Sequence, residues 1–186
     1  MKIILFKRPG KNKKLINELK IIIDELTGTW FTKHVGQNFY IDLYYQDLFV
    51  LYDKNKVKSF IIFTCIDGYI TITLFATKNE DRNKGYGSIL YNSFEKHCIK
   101  NGFNQFLLQT KPPQIFQNYK STINFYEKHG YKITKIYKEL WENGAIQMEK
   151  NVNKIILDKA KPAHNKRYTK RELDWLKYIV NMDLKI

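Results

Sequence analysis

The amino-acid sequence predicts an α/β fold, a sheet with helices packed on it, on three observations. β-branched and aromatic runs at Asp47 to Tyr52, Val57 to Ile66 and Tyr69 to Thr77 follow one another across short polar turns. Helical periodicity, with apolar residues three and four apart, marks Lys11 to Leu26 and Ser88 to Lys100. A glycine-punctuated run, Arg82-Asn83-Lys84-Gly85-Tyr86-Gly87, joins the third of those strands to the second of those helices.

Taken in chain order, Met1 to Lys7 reads as a first strand ended by Pro9-Gly10. The helix over Lys11 to Leu26 presents Leu15, Ile16, Leu19, Ile22, Ile23 and Leu26 on one face and stops at Gly28. Thr29 to Gln46 gives no clear period. It carries Trp30, Phe31, Phe39, Tyr40, Tyr44 and Tyr45 together with His34 and Gly36, which suits either an aromatic segment on the core or a substrate wall. The next two strands are joined by residues 53–56, and Asp67-Gly68 makes a tight hairpin into Tyr69 to Thr77. After the glycine run, Ile89, Leu90, Phe94, Cys98 and Ile99 form a helical face, and Gln105 to Gln109 is a short central strand. Ile123, Phe125 and Tyr126 ride a short helix closed by Gly130; Tyr131 to Tyr137 alternates as a strand, and Ala145 to Lys150 is the last.

The strand-to-helix turn is suited to phosphate. Gly85 and Gly87 permit close backbone approach, and the free N–H groups and dipole of the helix's first turn attract anions. Arg82 and Lys84 add full charges beside them. The run is neither G-x-x-x-x-G-K-[ST] nor G-x-G-x-x-G. It matches R-x-x-G-x-G, and with the later Phe125-Tyr126-Glu127-Lys128-His129-Gly130-Tyr131 it resembles the GNAT superfamily of acyl-CoA-dependent N-acetyltransferases, in that family's order and spacing. The resemblance covers residues 1 to 152. It implies a GNAT-like mixed, mostly antiparallel central sheet flanked by helices.

The resemblance also implies roles. Backbone amides across Lys84 to Ser88, that is Lys84, Gly85, Tyr86, Gly87 and Ser88, with Asn83 and Arg82 beside them, would bind the pyrophosphate of acetyl-CoA. Phe75, Ala76 and Thr77 fall where the family's fourth strand splays and offers its backbone to the pantetheine arm. Tyr126 takes the place of the general acid that protonates the CoA thiolate. Thr29 to Gln46 occupies the place of the helix and loop that shape the acceptor pocket. Where the family reads N-x-x-A before F-Y, this chain has Tyr119 and Thr122, so Asn118, one residue earlier, enters as the cofactor-contacting candidate. Pro112-Pro113 stiffens the preceding loop.

No base is evident. Ile70 to Leu74 contains no acid, and Asp67, Asp47, Glu25, His34 and His129 each have a plainer explanation as a turn former, a helix-face charge or a solvated imidazole. Amine deprotonation through ordered water needs no further residue. His34, His97, His129 and His164 with two separated cysteines give no metal-ligand spacing.

Composition bounds the rest. A chain of 186 residues, 44% hydrophobic and 15% aromatic, supports one buried core and excludes disorder. No apolar run reaches the length of a membrane span, and the apolar stretch after Met1 is too short for a signal peptide, so an intracellular, cytoplasmic protein is expected. Cys65 and Cys98 fit a reducing compartment. Of 32 basic residues only Arg8, Arg82, Arg167 and Arg171 are arginines, so the net charge of +14 rests on lysines consistent with AT-rich coding. Residues 153 to 186 form a basic C-terminal extension, not an independent domain. There Thr169-Lys170-Arg171-Glu172 opens a short helix that packs on the core or reaches a partner.

These readings converge on an N-acetyltransferase that moves an acetyl group from acetyl-CoA to an unidentified primary amine by direct transfer in a ternary complex, working as monomer or homodimer. Two alternatives stay open: a non-catalytic CoA-binding or interaction module on the same fold, and a nucleic-acid-associated protein acting through the basic tail.

Overall fold

In the computed structural model, residues 1–114, 117–141 and 143–152 are described, and the basic extension lies outside them. Seven strands form one sheet, β1 (Lys2–Phe6), β2 (Asp47–Asp53), β3 (Lys56–Ile66), β4 (Tyr69–Thr77), β5 (Gln105–Thr110), β6 (Lys132–Tyr137) and β7 (Ala145–Asn151), in the order β1-β2-β3-β4-β5-β7-β6. Only β4 and β5 are parallel. The α-helices among the described residues are α1 (Lys13–Leu26), α2 (Lys33–Asp42), α3 (Tyr86–Lys100) and α4 (Tyr119–Lys128).

The two faces of the sheet bury separate clusters, because alternate residues of each strand point opposite ways. On one face Leu19, Ile22, Ile23 and Leu26 of α1 and Phe39 of α2 pack on Leu48, Val50, Phe60 and Ile62. On the other, Leu90, Tyr91, Phe94 and Cys98 of α3 and Ile123 and Tyr126 of α4 pack on Phe49, Phe63, Ile72, Phe106 and Met148. Edge-to-face rings tie this second cluster together, Phe63 lying 4.9 Å and Phe49 5.6 Å from Phe94.

The aromatic stretch without a period contains α2, which Thr32 caps by accepting from Val35 N at 3.4 Å. Its short length and mixed composition hid it, since only Phe39 is buried within it. At the other end of the sheet, β6 departs from the expected half-buried alternation: Lys132 to Ile136 are all exposed. The cause is position. β6 is an outer strand bonded only to β7, and Lys132, Thr134 and Lys135 suit an edge open to water.

Among the described residues no helix is long and apolar enough to cross a membrane, and no group of three or more His, Cys, Asp or Glu could hold a metal ion. Phe60, fully buried between β3 and α1, is the test of the first cluster. Phe60→Ala is expected to lower the unfolding free energy by about 3–5 kcal/mol, read from guanidinium denaturation midpoints at unchanged slope.

Candidate active site

The turn leaving β4 is built around a buried carboxylate. A 3-10 turn over Asn79–Asp81 leads to Asp81, 4% exposed, which accepts from Lys58 Nζ at 2.8 Å and lies 3.7 Å from Lys84 Nζ. Two left-handed residues, Asn83 (φ 61°) and Gly85 (φ 84°), then reverse the chain into α3. Gly85 is the N-cap, so no side chain caps this helix, and the first intrahelical bond runs from Ile89 N to Gly85 O at 3.0 Å. The N–H groups of Tyr86, Gly87 and Ser88 therefore have no partner within the helix, and they sit at the positive end of its dipole.

The two glycines do different work. A Cβ on Gly85 would meet nothing within 4 Å, so the space before the loop is open. A Cβ on Gly87 would lie 3.3 Å from Thr77 Oγ1 and 3.7 Å from Phe75 Cζ, so this glycine lets the helix start hard against β4. Tyr86 pins the turn from the other side: its hydroxyl donates to Asp53 Oδ2 at 3.1 Å, a bond that also raises the pKa of the phenol.

Beside this loop the sheet comes apart. β4 and β5 pair only at Ile70 with Phe106, Thr71 with Leu107 and Ile72 with Leu108. Immediately after, the β3–β4 register shifts, Ile62 facing Leu74 and Phe63 facing Ile72, which leaves Thr73 as an extra residue. Its hydroxyl lies 2.5 Å from Gln46 Oε1 and 3.2 Å from the Ile62 carbonyl. The bulge swings the end of β4 away from β5, whose other edge stays paired with β7. A cavity of about 460 Å³ fills the gap, walled by Ile72 to Phe75, Arg82, Leu108 to Lys111, residues 30–32, 34 and 35 after α1, Tyr119, Thr122 and Tyr126 of α4, and Trp141, Asn143 and Gly144 before β7.

Three expected residues meet there: Phe75, Arg82 and Tyr126. Tyr126 is 6% exposed, its ring 6.4 Å from that of Phe75 and 5.4 Å from that of Tyr131, and burial raises its pKa. Arg82 stacks on Trp30, Cζ 3.6 Å from the ring centroid, and burial lowers the guanidinium pKa. Asn83, Lys84, Gly85, Tyr86, Gly87 and Ser88 form the adjoining loop. Ala76 is buried, its carbonyl accepting from Ser59 Oγ at 2.7 Å, and Thr77 Oγ1 lies 2.9 Å from the same hydroxyl, so both brace β4 against β3. Asn118 donates through Nδ2 to the Thr29 carbonyl at 3.0 Å and thereby ties α4 to the loop after α1.

Trp30, from the segment expected either on the core or at a substrate wall, and Tyr119, expected only as a departure from the family pattern, complete the wall. Tyr119 donates to the Trp30 carbonyl and lies 5.6 Å from the Trp30 ring, centroid to centroid. Trp30 thus joins the first helix, the glycine loop and α4. Among the residues weighed as a base, only His34 lines the cavity; its Nδ1 lies 3.2 Å from Asn38 Nδ2. Glu25 Oε2 lies 3.5 Å from Asn79 N, Asp47 accepts from Arg8 N at 3.2 Å, and Asp67 sits in the β3–β4 turn. His129 is packed 4.3 Å from the Tyr91 ring. Aromatic density in Thr29 to Gln46 was the available signal for Trp30, but nothing local marks which ring faces the gap.

Residues 44–133 match the family described as Acetyltransferase (GNAT) domain. No curated protein matches the chain. Among solved structures, the ribosomal-protein-S18-alanine N-acetyltransferase from Escherichia coli is similar at TM-score 0.66 and 14% identity, over 82% of this chain and 95% of that one. PaiA N-acetyltransferase from Thermoplasma acidophilum, solved in complex with coenzyme A, is similar at TM-score 0.59 and 16% identity, over 81% and 99%. An aminoglycoside 6'-N-acetyltransferase complexed with coenzyme A is similar at TM-score 0.62 and 20% identity, over 82% and 98%. These likenesses establish a common fold.

The unequal surroundings of the glycines give unequal costs. Gly85→Ala is expected to lower stability by about 1 kcal/mol through its left-handed backbone alone. Gly87→Val, which must push α3 off β4, is expected to cost about 1–3 kcal/mol and to give the larger fall in thermal midpoint.

Proposed function

This chain carries a GNAT acetyltransferase domain, and from that premise we propose that it moves an acetyl group from acetyl-CoA to a primary amine by direct transfer in a ternary complex. The observation that carries the reading is the parting of β4 from β5 after Ile72 next to an uncapped helix N-terminus. The two features fit the two polar stretches of the coenzyme: unsatisfied amides at Tyr86, Gly87 and Ser88 for the diphosphate, and the freed edge of Leu74 and Phe75 for a peptide-like arm. Coenzyme A in two of the similar structures supports the same reading.

In this reading Arg82 and Lys84 add charge beside the amides, Arg82 held flat by Trp30 and Lys84 leaning on Asp81. The arm passes between the parted strands and brings the thioester to Tyr126. The acceptor nitrogen attacks the thioester carbonyl, the carbon–sulfur bond breaks, and the departing thiolate takes the proton of the Tyr126 hydroxyl. The ammonium proton of the acceptor leaves to water, and water returns a proton to the Tyr126 oxygen, which restores the phenol. Burial keeps the Tyr126 phenol protonated at neutral pH, so its O–H is present beside the departing sulfur.

Gly85→Asp is expected to weaken coenzyme A binding at least about tenfold in calorimetric titration, by setting a carboxylate against the diphosphate. Unchanged affinity would contradict the loop assignment. Tyr126→Phe is expected to lower kcat roughly 10²-fold with the KM for acetyl-CoA retained. In the native enzyme the raised phenol pKa means that the rate, rising with pH as the amine loses its proton, does not fall again below about pH 10. A descending limb near neutrality would remove Tyr126 from the role.

A further inference from the structure

Trp30 is held from both flanks, by the end of α1 and by the start of α4. The Leu26 carbonyl accepts from the N–H groups of Thr29, Trp30 and Phe31 at 3.3, 2.9 and 3.0 Å, and from the Thr29 hydroxyl at 3.1 Å. From the other side Asn118 Nδ2 donates to the Thr29 carbonyl at 3.0 Å, and the Tyr119 hydroxyl donates to the Trp30 carbonyl. The Tyr119 ring packs on the indole, 5.6 Å between centroids. Over this anchored indole lies the half-buried Arg82, its Cζ 3.6 Å from the ring centroid, with Glu25 of α1 also attracting the guanidinium.

We propose that Trp30 is a positioning residue for the coenzyme: its indole face orders the Arg82 guanidinium before binding, so that the diphosphate meets a donor group already in place. This rests on the acetyl-transfer reading above, in which Arg82 adds charge beside the amides that begin α3. An unrestrained arginine side chain has several rotatable bonds, and freezing them when the ligand arrives lowers affinity. Stacking on an aromatic ring freezes them at folding instead. It also engages the flat face of the guanidinium and leaves the N–H groups at its rim for phosphate oxygens, which take two of them at once. Asn118 and Tyr119 gain a role in the same way. Neither needs to touch the coenzyme, because the start of α4 acts on it at one remove, through the turn that carries Trp30 and then through Arg82.

The experiment is a double-mutant cycle on coenzyme A affinity, measured by calorimetric titration of the full chain with Trp30→Leu, Trp30→Phe and Arg82→Gln, and with Trp30→Leu and Arg82→Gln combined. Trp30→Leu keeps an apolar side chain but removes the flat face, and is expected to weaken binding at least about fivefold. Trp30→Phe restores a face and is expected to stay within about threefold of the native affinity. Arg82→Gln is expected to weaken binding at least about tenfold. Adding Trp30→Leu to Arg82→Gln is expected to change affinity less than about twofold, because the indole then has no guanidinium to order. A Trp30→Leu loss of the same size in both backgrounds, as a purely structural role would give, overturns the proposal and leaves acetyl transfer standing. Native affinity in Trp30→Leu or in Arg82→Gln does the same. Should Trp30→Leu show no cooperative thermal transition, Trp30→Phe decides: affinity within about threefold of native bears the proposal out, and a larger loss overturns it. No binding of coenzyme A by the native chain would overturn both this proposal and the acetyl-transfer reading.

Discussion

The rest of the site depends on a break in hydrogen bonding between two neighbouring strands. Parallel strands running side by side satisfy each other's backbone groups, and β4 and β5 do so for only three residue pairs before they separate. The separation is imposed from both outer edges. β3 holds the far edge of β4 through the bulge at Thr73, and β7 holds the far edge of β5 through six continuous pairs. β3 and β7 thus hold the two strands apart at this point of an otherwise continuous sheet. Backbone amides and carbonyls in the gap remain available to whatever enters.

The glycine loop gains its meaning from that opening. An uncapped helix N-terminus is a general anion site, but here Gly87 presses the helix start against Thr77 and Phe75, the last turn of chain before the loop. Asp81, gripped by Lys58, fixes the loop from below. The amides and the parted strand edge therefore share one rigid support, while Arg82 crosses from the loop to Trp30 in the cavity wall. Trp30 in turn is held by the Tyr119 hydroxyl through its own carbonyl, so the segment after α1 closes the side of the gap away from α3.

Much of this was legible in the chain. The glycine run announced a strand-to-helix turn because glycine spacing and periodicity are local properties, and the three strands before it were plain from their composition. The place of Tyr126 followed from a second local run. The bulge was not legible, since Thr73 is an ordinary β-former whose extra position appears only when β3 sets the register. Thr29 to Gln46 was read as a core segment or a substrate wall, and its Trp30 and His34 do line the cavity, but nothing local singled them out, because the helix in that segment buries a single residue. Asn118 was read from a family pattern that the chain departs from at Tyr119, and its side chain is bonded to the Thr29 carbonyl.

The central claim is that a coenzyme lies across the amides that begin α3 and runs into the gap between β4 and β5. A crystal structure of the protein with coenzyme A tests it most directly. The account predicts the diphosphate within hydrogen-bond distance of the backbone nitrogens of Tyr86, Gly87 or Ser88 and the pantetheine arm alongside Leu74 and Phe75. A diphosphate bound elsewhere, with the gap filled by side chains, would contradict it.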